Sequence, residues 1–278
     1  MFVRSDVGLG SQHLFYDVDY ILYCEGETVQ GEGASFDEMF WHMILSANGI
    51  KVACKSVGSK TTVKELALLV MTNQVPNVVI AMDRDYDNLR GAIIDWPTVL
   101  YTQGYSWESD VVSELDFDSI LALFVVAKDR KKLQGEFKNF LDRNATILRR
   151  LVAIDFKYIG HEESLFNRTK PMSIVHAPGN AEPRFKISEI LASARKLGRY
   201  QTGKISGRVY GGLEGVRDFY GKAISRLVFH WFVFRTRKIP GCRRVIYDTF
   251  MSVAVNSCDI STHGITRNDY YRQMIARL

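Results

Sequence analysis

An α/β fold with a parallel sheet flanked by helices, followed by a mainly helical basic part, is predicted by three observations. Short β-rich runs alternate with amphipathic helical patterns over residues 1–115. Beyond them the pattern turns helical. Charge divides in the same way: residues 1–127 carry 7 Lys+Arg and 18 Asp+Glu, whereas residues 128–278 carry 29 and 13. Alternating strands and helices imply parallel pairing, because each helix carries the chain back across the sheet by a right-handed crossover.

The elements follow in order. Asp19–Cys24 (DYILYC) is β-rich and is the first strand. Ser35–Ala47 is a helix: Ser35 and Glu38 form a capping box, and Phe36, Phe40, Met43, Ile44 and Ala47 recur at helical spacing. Asn48-Gly49 ends it. Ile50–Lys55 alternates and is the second strand. Gly58-Ser59 turns the chain, and a second capping box, Thr62 with Glu65, opens a helix to about Gln74. Asn77–Met82 is apolar almost throughout, as a parallel strand covered on both faces requires. Thr98–Tyr101 offers a fourth strand. Asp118–Lys128, Gly135–Leu151, Ser188–Gly198, Val216–Phe234 and Val245–Asn256 are the later helices. The expected division is a sheet domain over 1–127 and a helical basic region over 128–278, with no clear linker.

Composition narrows the function classes. The apolar share of 46% is ample for a buried core. Met1–Asp6 contains no apolar signal segment. The longest apolar runs, Ile120–Ala127 and Leu227–Phe234, fall far short of the roughly twenty residues that span a bilayer. The expectation is a cytoplasmic protein with no membrane partner. Cys24, Cys54, Cys242 and Cys258 form no Cys-x-x-Cys pair, which excludes a structural zinc site and fits a reducing compartment. His161, His176 and His230 stand outside any catalytic spacing; His230 is expected to be a core residue. Gly26–Gly31 lacks the Lys-Ser/Thr of a phosphate-binding loop.

Parallel sheets bind ligands at the carboxyl ends of their strands. Glu25 follows the first strand and Asp83 follows the third, so the topology carries both to one edge. Asp83-Arg84-Asp85-Tyr86-Asp87 spaces three carboxylates at alternate positions. In an extended segment they would share a face, about 6.6 Å apart. Like charges so close call for a compensating cation, and hard oxygens suit Mg²⁺ or Mn²⁺. Such an ion could polarise a phosphoryl oxygen and activate water. Lys60, in the strand-to-helix turn Gly58–Thr62, lies on the same edge and could contact phosphate. Glu27, in the loop Gly26–Gly33, competes with Glu25 for the first ligand; the strand-end position favours Glu25.

The basic part suggests a polyanionic partner. Arg195, Lys196, Arg199, Lys204 and Arg208 interleave with Tyr200 and Tyr210. Arg235, Arg237, Lys238, Arg243 and Arg244 form a second group. Lysine and arginine would hold phosphates and tyrosine would stack on unpaired bases. A surface that docks an acidic protein is the alternative.

Tyr23-Cys24-Glu25-Gly26 followed by Ala81-Met82-Asp83-Arg84-Asp85 resembles the TOPRIM domain of topoisomerases, primases and OLD-family nucleases. Tyr105-Ser106-Trp107-Glu108-Ser109 is similar to an element of stand-alone TOPRIM effectors associated with ABC-type ATPases. The organisation of the whole chain resembles the AriB family, the effectors of PARIS-type anti-phage systems. The resemblance implies a TOPRIM (Rossmann-like) fold and Mg²⁺-dependent cleavage. Glu25 would be the catalytic or metal-binding glutamate and Asp83 and Asp85 metal ligands, with Asp87 and Glu108 as further ligands. It also implies a transfer-RNA substrate, restraint by an ATPase partner, and a homodimer when active. The expected function is therefore a metal-dependent endoribonuclease. A DNA endonuclease with the same site and a non-catalytic module that docks on an ATPase are the alternatives.

Overall fold

Four short strands flanked by helices form the architectural centre of the N-terminal part of this computed structural model, which describes residues 6–27, 33–125, 127–159, 165–196, 211–242, 244–258 and 264–278. Two short helices that the sequence pattern did not reveal, α1 (Asp6–Gly10) and α2 (Gln12–Tyr16), precede β1 (Tyr20–Cys24). Then come α3 (Phe36–Ala47), β2 (Val52–Ser56), α4 (Lys60–Thr72), β3 (Val78–Met82), the one-turn α5 (Asp87–Arg90) and β4 (Val99–Tyr101). The sheet order is β2-β1-β3-β4, and every pair is parallel. This is an α/β architecture consistent with a Rossmann-like fold.

The caps explain where the helices start. Ser35 accepts from the Glu38 N–H and Glu38 reaches back to the Ser35 N–H, so the capping box forms as expected. Ahead of α4 the expectation needs correction. Ser59, not Thr62, is the cap: its side chain accepts from the Thr62 N–H, and the helix starts at Lys60. Serine at the earlier position satisfies an amide that would otherwise be orphaned. Apolar burial then fixes the packing. Ile21, Tyr23, Val78, Ile80 and Met82 face Val63, Ala67 and Val70 of α4 in one core. Leu22 and Cys24 alternate to the other face and are also fully buried.

The chain divides into two compact units, Met1–Gln103 with Val255–Leu278, and Gly104–Ala254. The second unit contains α6 (Trp107–Ser113), α7 (Phe117–Phe124), α8 (Ala127–Ile159), the two-stranded antiparallel pair β5 (Val175–His176) and β6 (Arg184–Phe185), α9 (Ile187–Lys196) and α10 (Gly221–Thr236). The helix α11 (Tyr247–Ser257) leads to α12 (Asp269–Ile275) of the first unit. There Tyr271 stacks edge-on against Phe40 and Trp41, and its hydroxyl accepts from the Gln103 N–H at 3.0 Å. A linear reading assigns this segment to the helical region, because nothing local marks a return to the sheet.

Two helical expectations also change. The helix expected over Gly135–Leu151 runs through all 33 residues of α8, and exposed Gly135 lies inside it. The helix expected over Asp118–Lys128 ends at Phe124. Among the described residues, no helix is long and apolar enough to cross a membrane.

Candidate functional site

The site begins at the carboxyl end of β1. Glu25 follows the strand, and Gly26 adopts φ +125°, a conformation that L side chains rarely take. Gly26 and Gly58 exchange two N–H···O bonds of 3.0 Å, which tie the end of β1 to the turn before α4. A Cβ on Gly26 would stand 3.0 Å from Ser56 Oγ and 3.1 Å from Asp37 Oδ2. The glycine pair thus brings Glu25 to the helix whose first residue is Lys60.

The acidic segment does not continue as a strand, contrary to the expectation of three carboxylates on one extended face. β3 ends at Met82, Asp85 takes a left-handed φ of +48°, and Asp87 opens α5. The Arg84 N–H donates to Thr102 Oγ1 at 2.8 Å, and the Asp87 N–H donates to the Arg84 carbonyl at 2.9 Å. The chain folds back on itself, and this turn rather than a strand face gathers the acids.

Lys60 bridges the acids of this turn. Its Nζ donates to Asp85 Oδ2 and to the Asp83 carbonyl, each at 2.6 Å, and stands 3.0 Å from Asp87 Oδ2. Lys64, one turn further along α4, pairs with the same Asp87 oxygen at 2.9 Å. Glu25 Oε1 accepts from the Asp83 N–H at 3.0 Å. Burial pushes the Glu25 carboxyl up to about 7; Lys60 and the Asp83 N–H oppose the rise, and Asp85 and Asp87 add to it. Burial works against the Lys60 ammonium, but Asp85, Asp87 and Glu25 outweigh it and raise its pKa.

The donors suit a hard divalent cation: carboxylate oxygens of Glu25, Asp85 and Asp87, and the Asp83 carbonyl. Among the described residues, however, no three Asp, Glu, His or Cys side chains converge as a ready metal-holding group. The ammonium of Lys60 pairs with both Asp85 and Asp87, and Lys64 shares the same Asp87 oxygen. Only the oxygen chemistry of these donors is of the kind Mg²⁺ or Mn²⁺ takes.

Glu27 is exposed. Glu108 belongs to the second unit and is buried; Ser106 Oγ donates to its Oε2 at 2.5 Å. Arg195 and Lys196 are exposed at the end of α9, and Arg237, Lys238 and Arg244 are exposed after α10. Arg235 is half-buried against Glu136. Arg199, Lys204, Arg208, Arg243, Tyr200, Tyr210 and His161 lie outside the described residues. His176 is exposed. His230 is only half-buried rather than core, beside the Phe229 ring; burial and the Arg226 charge lower its pKa. Sequence reasoning missed Lys64 and the Gly26–Gly58 bridge. The four-residue spacing from Lys60, which puts Lys64 on the same helix face, was the available signal.

No family model matches the chain, and no curated protein or solved structure matches it.

Proposed function

We propose that this protein is a metal-dependent endoribonuclease of the TOPRIM type, cutting transfer RNA as the effector of an anti-phage system. In that setting an ATPase partner restrains it, and it acts as a homodimer. One observation carries the catalytic reading. Asp85 and Asp87 pair with one cation, the Lys60 ammonium, and Glu25 lies near enough to respond to its charge, where β1 and β3 end in a parallel sheet. Strand ends of such sheets are where ligands bind.

Glu25, Asp83 and Asp85, with Asp87 beside them, would hold the divalent ion. When bound, it would supply Lewis-acid activation of the phosphodiester and of the attacking water. Burial pushes the Glu25 carboxyl up to about 7 in the metal-free chain, and a bound ion would hold it ionised as a ligand. Lys60 can offset negative charge that develops on the phosphoryl oxygens. The second unit carries 26 Lys+Arg against 16 Asp+Glu, and exposed Arg195, Lys196, Arg237, Lys238 and Arg244 offer phosphate contacts.

The test incubates purified protein with total tRNA and with plasmid DNA, in Mg²⁺, in Mn²⁺ and in chelator. Cleavage of tRNA that needs the metal and is lost in Glu25→Gln is the expected result. Metal-dependent cleavage of the plasmid alone would make the protein a DNA endonuclease. No cleavage of either, with no heat on Mn²⁺ titration, would favour a docking module. RNA binding is expected to weaken steeply as salt rises.

A further inference from the structure

The acidic cluster already contains a cation that belongs to the chain. Lys60 Nζ lies within 2.6 Å of Asp85 Oδ2 and of the Asp83 carbonyl, and 3.0 Å from Asp87 Oδ2. These are the oxygens a divalent ion would need. Lys60 is no loose surface residue: its side chain is only 18% exposed, and the Ser59 cap and the Gly26–Gly58 bridge hold its helix start against the end of β1. Lys64 reaches Asp87 as well, so α4 presents two ammonium groups to one acidic turn. An ammonium and a divalent ion cannot share the same carboxylate oxygens without strong repulsion.

We infer that Lys60 is a built-in counter-cation that competes with the divalent ion for Asp85, Asp87 and the Asp83 carbonyl, and so weakens metal binding. The inference rests on the metal-dependent reading above. It assigns Lys60 a second role besides any contact with substrate: it stabilises the metal-free acids, and it must leave them before an ion enters. The metal-free acids are therefore held by the chain's own charge pairs.

Calorimetric titration of the full-length protein with Mn²⁺, without substrate, tests this. Lys60→Met removes the charge and keeps the length of the side chain. It is expected to bind Mn²⁺ at least about tenfold tighter than the wild type, because one competing unit charge leaves the donors. Lys60→Arg keeps the charge and is expected to bind no tighter than the wild type. Circular dichroism checks folding, and Lys60→Gln replaces the methionine variant if that one fails to fold. A Lys60→Met protein that binds no tighter than a wild type that does bind would overturn the inference and leave the metal-dependent reading standing. An equal gain in Lys51→Met, at the exposed lysine just before β2, would also overturn it, by reducing the effect to net charge. Retention of the tight binding after adding Asp85→Asn would overturn it too, since the ion would then sit elsewhere. Binding by neither the wild type nor folded Lys60→Met would remove the metal-dependent reading itself.

Discussion

The backbone N–H of Asp83 donates to Oε1 of Glu25 at 3.0 Å, joining two strand ends 58 positions apart in the chain. The bond makes Glu25 part of the backbone framework as well as part of the acidic cluster. The two contributions separate by substitution. Glu25→Gln keeps an oxygen acceptor, and Glu25→Ala leaves the Asp83 amide without it. Glu25→Ala is expected to be less stable than Glu25→Gln by about 1–2 kcal/mol, whereas under the proposed function both are expected to lose tRNA cleavage. Urea unfolding and a tRNA cleavage assay measure the two effects; equal stability would show that the bond carries little weight.

Gly26→Ala tests the bridge that sets this geometry. The residue sits at φ +125°, with Ser56 Oγ 3.0 Å from the position of a Cβ. A cost of about 1–3 kcal/mol is expected from backbone strain and crowding. The same change should displace Glu25 and lower activity beyond the loss of folded protein. Denaturant unfolding and specific activity per folded molecule are the measurements.

In the second unit, α6 and α10 approach closely at Gly221. An added Cβ would stand 1.9 Å from Ser106 Oγ, 2.9 Å from Glu108 Oε2 and 3.0 Å from Ser109 Oγ. Gly221→Ala is expected to destabilise by about 3 kcal/mol. Combining it with Ser106→Gly should cost less than the sum of the single changes, because both act at one contact. Strict additivity in thermal unfolding would contradict the close approach.

Gly135 points the other way. It is exposed inside α8, has no positive φ, and its Cβ would meet nothing within 4 Å. Gly135→Ala is expected to stabilise the protein by about 0.5–1 kcal/mol, because alanine loses less backbone entropy in a helix. A calorimetric melting scan should show a rise of a few degrees at most, on the order of 2–4 °C; a fall would be inconsistent with an unstrained helical position.

Alkaline pH should destabilise the fold through two thiols of the sheet, buried Cys24 and half-buried Cys54. Burial, with Glu38 adding to it, pushes the Cys54 thiol up to about 12; burial, with Asp37 adding to it, pushes Cys24 upward as well. In the unfolded chain a cysteine thiol titrates near its ordinary value of 9.0. Between that value and the native pKa the unfolded chain has lost a proton that the native chain keeps. Stability therefore falls as pH rises through this window, by at most about 1.4 kcal/mol per pH unit for each thiol. Urea unfolding at pH 8, 9 and 10 should show a shallower fall in Cys54→Ala than in the wild type.

Strand and helix order was legible because it rests on local chemistry. Alternating or continuous apolar runs mark β1 to β4, and Ser35 with Glu38 satisfies a helix end that any chain must satisfy. From that order alone, Glu25 and Asp83 fall on one sheet edge. What the acids do there depended on longer-range contacts. The turn at Asp85 replaces the extended face that alternate spacing suggested, since that spacing describes side chains only while the backbone stays extended. Lys60 and Lys64 meet Asp85 and Asp87 only because α4 crosses over next to β3, more than twenty positions away. Tyr271 packs beside Phe40 for the same kind of reason: a single aromatic residue carries no local sign of the distant surface it will bury. The amino-acid sequence by itself determined which residues could form an acidic, cation-demanding edge. Only the tertiary structure decided which cation answers it, because charge pairing depends on through-space distance and not on position along the chain.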